Sequence, residues 1–307
     1  MSESLRSLSG DCFSEPSFGR LSDARYAPAM ELKGLGVWSG ELRYGEAADA
    51  AADAAALEGW GYSGMWIPDV GGPLFEAFDN LLEATATAAI ASGICNVWFH
   101  PPTEVGEWWA GLAEAHRDRV MLGIGISHGP LIGETYGRPL ATMTEYLDGL
   151  DAAGFPMEHR CIAALGPKML ELARDRTAGS HPYLVTPEHT AFARDILGPD
   201  KGLYVEQGVV LETDADTARE VAKAAVSFYL TLPNYVNNWK RFGFTDDEIQ
   251  GCSDRFIDEV FVWGDADAIN ARIDAHRAAG ADHVCIQVLG AAEAPGGNRA
   301  VWEALKP

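Results

Sequence analysis

Basic residues are scarce in this chain of 307: 23 Lys and Arg stand against 45 Asp and Glu, a formal net charge of −22. A surface of that sign repels phosphate backbones and anionic headgroups, so nucleic acid and membrane surfaces are poor partners. Cysteine is also sparse. The five cysteines (Cys12, Cys95, Cys161, Cys252, Cys285) are scattered, odd in number and form no CxxC pair. That argues against a disulfide framework or a structural zinc and for a reducing compartment. The eight histidines include no HExxH spacing. No metal is expected, apart from a site that the fold would have to assemble from distant residues. Long apolar runs are missing too: the best candidate, residues 84–94, is broken by threonines, Ser92 and Gly93, well short of the roughly 20 residues that span a bilayer. Residues 1–30 lack the apolar stretch of a signal peptide. Residues 1–31 are expected to form a disordered N-terminal tail ahead of one folded domain, 32–307, in a cytoplasmic protein.

What is present is core material. Hydrophobic residues make up 47% and charged ones 22%, a composition that excludes disorder and collagen. From Leu32 onward short apolar runs alternate with Ala-rich helical segments. The pattern predicts strands at 34–38, 62–67, 94–99, 120–126, 160–164, 183–185, 203–211 and 283–289. Between them it predicts helices at 46–58, 75–91, 104–116, 167–176, 188–196 and 266–279. Strands alternating with helices of this length indicate parallel βαβ units, and about eight of them close a (β/α)8 TIM barrel of the α/β class. Residues 234–265, with Trp239, Arg241, Phe242 and Phe244, exceed the repeat. They are expected to form a helical insertion before the last βα unit.

In such a barrel the chemistry sits where the strands end. Asp69 follows the second strand and can bond a ring N–H or move a proton; it can equally satisfy backbone N–H groups in its own Pro-Asp-Val-Gly-Gly turn. Ser127 and His128 follow the fourth strand, and an imidazole there is suited to acid–base work near neutrality. Gly123, Gly125 and Gly129 miss the GxGxxG spacing of a dinucleotide fingerprint, so their expected role is to leave room for a flat ligand. Gly166-Pro167-Lys168 opens a helix directly after a strand. Proline is suited to that position, and free N–H groups make the opening either an anion site or an ordinary helix start. Trp98, alternating with Val97 and Phe99, can wall a ring from one face.

Several of these runs resemble the luciferase-like monooxygenase superfamily, in particular its branch of oxidoreductases dependent on the deazaflavin coenzyme F420. They are Gly61-Tyr-Ser-Gly-Met-Trp-Ile-Pro-Asp69, Asn96-Val-Trp98, Arg119-Val-Met-Leu-Gly-Ile-Gly-Ile-Ser-His-Gly-Pro130 and Ala163-Ala-Leu-Gly-Pro-Lys-Met-Leu170. His181-Pro-Tyr-Leu-Val-Thr-Pro187, Leu232-Pro-Asn-Tyr-Val-Asn-Asn-Trp239 and Gly280-Ala-Asp-His-Val284 continue the match, in order, over about residues 32 to 290. Two departures are an Ala178-Gly179 pair where the family usually has Asp-Gly, and the segment before Leu32.

The resemblance implies a ring cofactor lying against the third strand, with a non-prolyl cis peptide near Cys95, Asn96 and Val97. It implies a cofactor phosphate at Gly166, Pro167, Lys168 and Met169, His128 facing the reactive ring carbon and Asp69 near the ring. Together with Trp98 and Ser127 these are the expected cofactor residues, with His128 and Asp69 the catalytic candidates. The implied function is hydride transfer between coenzyme F420 and a small organic substrate in a homodimer, with a reductase recycling the cofactor. The alternatives are an FMN-dependent monooxygenase using O2 with a partner reductase, and a non-catalytic flavin-binding paralogue.

Overall fold

The computed structural model describes residues 32–291 and 296–307; the expected tail, 1–31, lies outside them. Ten parallel strands carry the architecture: β1 Gly34–Trp38, β2 Gly64–Ile67, β3 Ala89–Ser92, β4 Cys95–Asn96, β5 Val120–Gly125, β6 Arg160–Ile162, β7 Gly179–Ser180, β8 Gly202–Val210, β9 Val262–Trp263 and β10 His283–Val288. Eight of them close a ring in the order β1-β2-β3-β5-β6-β7-β8-β10, because β10 pairs with both β1 (Gly34 opposite His283) and β8 (His283 opposite Tyr204). The expected TIM barrel is what forms. The two short extras ride on the rim, β4 on the upper half of β5 and β9 on the end of β8.

Alternation along the strands sorts the side chains into two layers. Val37, Met65, Ile90, Leu122, Val205 and Ile286 face the surrounding helices and join Phe78, Leu81, Leu147 and Leu170 in the main core. Each such fully buried side chain contributes about 1.5–3 kcal/mol. The interior holds Trp66, Ala91, Met121, Cys161, Tyr204 and Cys285. It accommodates rings because facing strands supply glycines. A Cβ on Gly123 would fall 2.0 Å from Ser92 O and 3.4 Å from Trp66 Cζ3, and one on Gly36 2.5 Å from His283 Nε2. The indole N–H of Trp66 donates to His283 Nε2 at 3.1 Å, and His181 stacks on the same indole with centroids 4.1 Å apart.

Two expectations need correction. The helix predicted over 75–91 is Leu74–Ala84, and the third barrel strand is Ala89–Ser92 rather than 94–99. A partner distant in sequence overrides the helical propensity of the alanines: one Glu58 carboxylate accepts the N–H groups of Ala86, Thr87 and Ala88 at 2.6–3.1 Å. Burial alone would raise that carboxyl, but the three N–H groups outweigh it and hold it at about 2. The strand predicted at 183–185 is instead Gly179–Ser180. Leu184, at φ 55°, gives its N–H to Glu206 Oε2 (3.1 Å) and takes the Trp239 indole N–H on its carbonyl (3.0 Å), so side chains replace the ladder there.

The insertion is helical as expected. Pro233–Arg241, Asp246–Gln250 and Asp254–Val260 pack Tyr235, Trp239, Phe244, Phe256 and Phe261 into a second cluster over the rim, before the last helix–strand unit. Among the described residues no helix is long and apolar enough to cross a membrane.

Candidate active site

The carboxyl ends of the strands converge on a cavity of about 470 Å³, within the usual range for small-molecule and cofactor sites. Trp38, Pro68, Asp69, Gly93, Ile94 and Asn96 form one wall, and Gly125, Ile126, Ser127 and His128 the next. Ala163 to Gly166 with Met169, then His181 and Tyr183, continue round, while Phe228, Tyr229, Asn234, Tyr235, Asn237 and Arg241 of the insertion region roof it. The cis peptide joins Gly93 to Ile94, just before the Cys95–Val97 stretch where it was expected.

Of the sequence-predicted residues, Asp69, Asn96, Ser127, His128, Gly166 and Met169 meet in this cavity. The others do not line it. Cys95 is fully buried in the core outside the ring, and Val97 packs against that core. Trp98 donates its indole N–H to Ile126 O at 2.8 Å. Pro167 and Lys168 are exposed at the start of the helix they begin.

His128 follows a residue of unusual backbone, Ser127 at φ 57°, which turns the chain at the mouth. Its ring lies among Tyr235, Phe228 and Tyr229, with centroids 5.6–6.4 Å away. Nδ1 is buried without a hydrogen-bond partner. Burial lowers the imidazole's pKa, so the ring is neutral at pH 7.

Asp69 is bound very differently. Oδ2 accepts the Asn96 N–H at 2.9 Å and Oδ1 the Gly71 N–H at 3.1 Å, while His100 Nε2 stands 3.2 Å from Oδ2. Burial would raise this carboxyl, but His100 and the two N–H groups outweigh it and hold it below the usual range. The carboxylate ties β2 to β4 and to its own turn.

Gly166 precedes the helix Pro167–Arg176 with no side-chain cap, leaving the first N–H groups of the helix unpaired. A Cβ there would meet only Arg241 Nη2, at 3.9 Å. The space before the helix is therefore open and faced by a guanidinium, itself held by Asn238 Oδ1 at 2.9 Å.

Sequence reasoning missed His181 and the tyrosines as site residues. The His181 Nδ1 proton goes to Tyr204 O (2.8 Å), which leaves Nε2 an unpartnered acceptor, and burial pushes the ring down to about 4. Tyr229 donates to the Tyr183 hydroxyl (3.4 Å), and Tyr183 to Gln287 Oε1 (2.8 Å). Beneath them Glu206, 1% exposed, keeps Oε1 unpartnered, and burial raises it to about 8. The available signal was positional: with β7 placed at 179–180, His181 becomes a strand-end residue.

A family model described as luciferase-like monooxygenase matches residues 34–154, so the resemblance read from the sequence holds at that level. Solved structures similar to this chain include an F420-dependent secondary alcohol dehydrogenase in complex with an F420–acetone adduct (15% identity, 83% of this chain and 93% of that one, TM-score 0.64). They also include the coenzyme F420-dependent tetrahydromethanopterin reductase of Methanopyrus kandleri (16% identity, 90% and 97%, TM-score 0.68). A third is the oxygenating constituent of 3,6-diketocamphane monooxygenase of Pseudomonas putida in complex with FMN (13% identity, 89% and 97%, TM-score 0.60). At these identities the likeness establishes the barrel. None of the curated proteins matches the sequence.

Proposed function

We propose that this chain is an oxidoreductase of the luciferase-like type that holds coenzyme F420 at the barrel mouth and exchanges a hydride with a small organic substrate. The observation that carries the reading is one cavity joining a wall of strand ends to an anion corner. At Gly93 the wall is closed by Trp38 and His181, and at Gly125 by Ile94, each packed into the space a Cβ would take. The corner is the uncapped helix opening at Gly166 with Arg241 beside it, suited to a phosphate.

The residues present fit a ring cofactor bearing a phosphate. Gly93, Asn96 and Gly125 would support the ring, Gly166, Met169 and Arg241 the phosphate, and the unpartnered Nε2 of His181 would accept an N–H or O–H from the bound molecules. When bound, the deazaflavin supplies the hydride-carrying ring; the protein supplies binding, orientation and proton management. His128, neutral and unpartnered at Nδ1, takes the hydroxyl proton when an alcohol is oxidised and returns it in the reverse direction. Phe228, Tyr229 and Tyr235 exclude water around it. Asp69 fixes the Asn96 backbone and so keeps the wall in place.

A second reading, an FMN-dependent monooxygenase using O2 and a partner reductase, is favoured by the description of the matching family model. Titration of the full chain with coenzyme F420 and with FMN, each oxidised and reduced, separates the two. The proposal expects micromolar or tighter binding of the deazaflavin. Preference for FMN moves the function to oxygen chemistry, and binding of neither makes the chain a non-catalytic paralogue.

A further inference from the structure

At the cavity wall, where Asp69 lines the space and Cys95 and His100 lie buried beside it, three metal-ligating groups of different chemistry converge. Asp69, at the end of β2, brings a carboxylate oxygen; Cys95, on β4, brings Sγ; His100, in the turn after β4, brings a ring nitrogen. All three residues are buried, at 6%, 0% and 6% exposure, and the three ligand atoms lie within 4.8 Å of one another.

The contacts among them are incomplete. His100 Nε2 faces Asp69 Oδ2 at 3.2 Å as an ion-pair contact that falls short of hydrogen-bond geometry. A buried nitrogen in that state calls for an explanation. The other ring nitrogen, Nδ1, faces the Glu104 carboxylate at 3.4 Å, the outer-shell arrangement that fixes Nε2 as the metal-binding atom in carboxylate–histidine–metal sites. The Tyr146 hydroxyl lies against the Cys95 sulfur and donates to the His100 carbonyl at 2.7 Å, holding the sulfur and the turn together.

The geometry points to a metal site formed by Asp69, Cys95 and His100 for a borderline-soft divalent cation of the zinc class. Nitrogen, sulfur and oxygen donors at this spacing suit Zn2+, which takes them at roughly 2.0–2.3 Å and in four-coordination. A small inward movement of the three atoms would meet those distances, with a water as fourth ligand. Mg2+ and Ca2+ require oxygen shells and do not suit a thiolate. Binding displaces to solvent the Cys95 thiol proton and the proton that the Asp69 and Glu104 carboxylates favour on His100, and the two negative ligands, Asp69 and Cys95, balance the dication. The ion would pin β2, β4 and the following turn, and its role is structural. Motif spacing could not show this site, because Asp69 comes from a different strand end than the Cys95–His100 pair.

Co2+ is the probe. Tag-free, chelator-treated full chain is titrated anaerobically with Co2+ and followed by absorption, with the double variant Cys12→Ser, Cys252→Ser as the thiol control. The expected result is one equivalent giving a thiolate-to-cobalt charge-transfer band and strong tetrahedral visible bands. Equimolar Zn2+ should displace it and excess Mg2+ should not, and the control variant should behave identically. Cys95→Ser should abolish the charge-transfer band, and His100→Gln should weaken binding at least tenfold. The wild-type titration decides even if those variants fold poorly. Absence of the band, or its survival in Cys95→Ser, would overturn the site and leave an ion pair with a thiol beside it.

Discussion

The two ends of this barrel treat buried polar groups in opposite ways. Near the amino ends of the strands, Arg119 gives its guanidinium to Thr85 Oγ1 and to the carbonyls of Leu82, Ala88 and Ala115. Glu58 collects three backbone N–H groups, and Trp66 is bonded to His283. Near the carboxyl ends His128 Nδ1 and His181 Nε2, both lining the cavity, are buried with no partner, as is Glu206 Oε1 midway along β8 and outside the lining. Native interiors rarely leave such atoms unsatisfied. Saturation at Arg119 and Glu58 marks a scaffold, and the two open ring nitrogens that line the cavity are groups kept for molecules that enter. The same distinction separates Asp69 from His128, two residues that look equally catalytic from their positions after strands.

Breaking the open end should produce the largest effects. His128→Ala is expected to lower turnover roughly 10²–10⁴-fold, the range for a lost general acid or base, while the cofactor Kd moves little; steady-state kinetics beside a binding titration measure both. Near-normal turnover would remove His128 from its role. Arg241→Ala should weaken a phosphate-bearing cofactor by about 10- to 100-fold, the scale of a lost charge-assisted bond, and flatten the salt dependence of binding. An unchanged Kd would mean that the phosphate lies elsewhere.

Breaking the saturated end should alter stability and spare binding. Glu58→Ala is expected to cost about 2 kcal/mol in urea unfolding, the scale of hydrogen bonds to a charged group, with the cofactor Kd unchanged. Because the folded carboxyl sits at about 2 against an ordinary 4.5, its contribution is present above pH 4.5 and lost as pH falls towards 2. Glu206 runs the other way. Its folded value of about 8, against 4.5, means that stability is highest below pH 4.5 and declines as pH rises through 8. Glu206→Gln should flatten that decline; an unaltered pH–stability curve would show that Glu206 titrates normally.

Much of the scaffold was legible because local chemistry and final structure agree. The helix predicted at 167–176 is Pro167–Arg176, since proline suits the first turn and Gly166 stands at the N-cap before it. Val120 to Gly125 reads as a strand and is one. Residues 85–92 were misread because Glu58, which draws the segment out of a helix, is about 30 residues away in sequence. Residues 183–185 were misread because Trp239 and Glu206 bond the Leu184 backbone from elsewhere. The site was legible at Asp69, Asn96, Ser127, His128, Gly166 and Met169, which depend on strand ends. Its roof was not, because the directions of Tyr229, Tyr235 and Arg241 are set by the packing of the insertion rather than by any period in the sequence.

The most direct test is a fluorescence titration of the full chain with coenzyme F420, run beside His128→Ala and Glu58→Ala. The account predicts saturable binding of one equivalent, micromolar or tighter, by all three proteins. Failure of the unaltered chain to bind would contradict the claim that the open end of the barrel is kept for the deazaflavin.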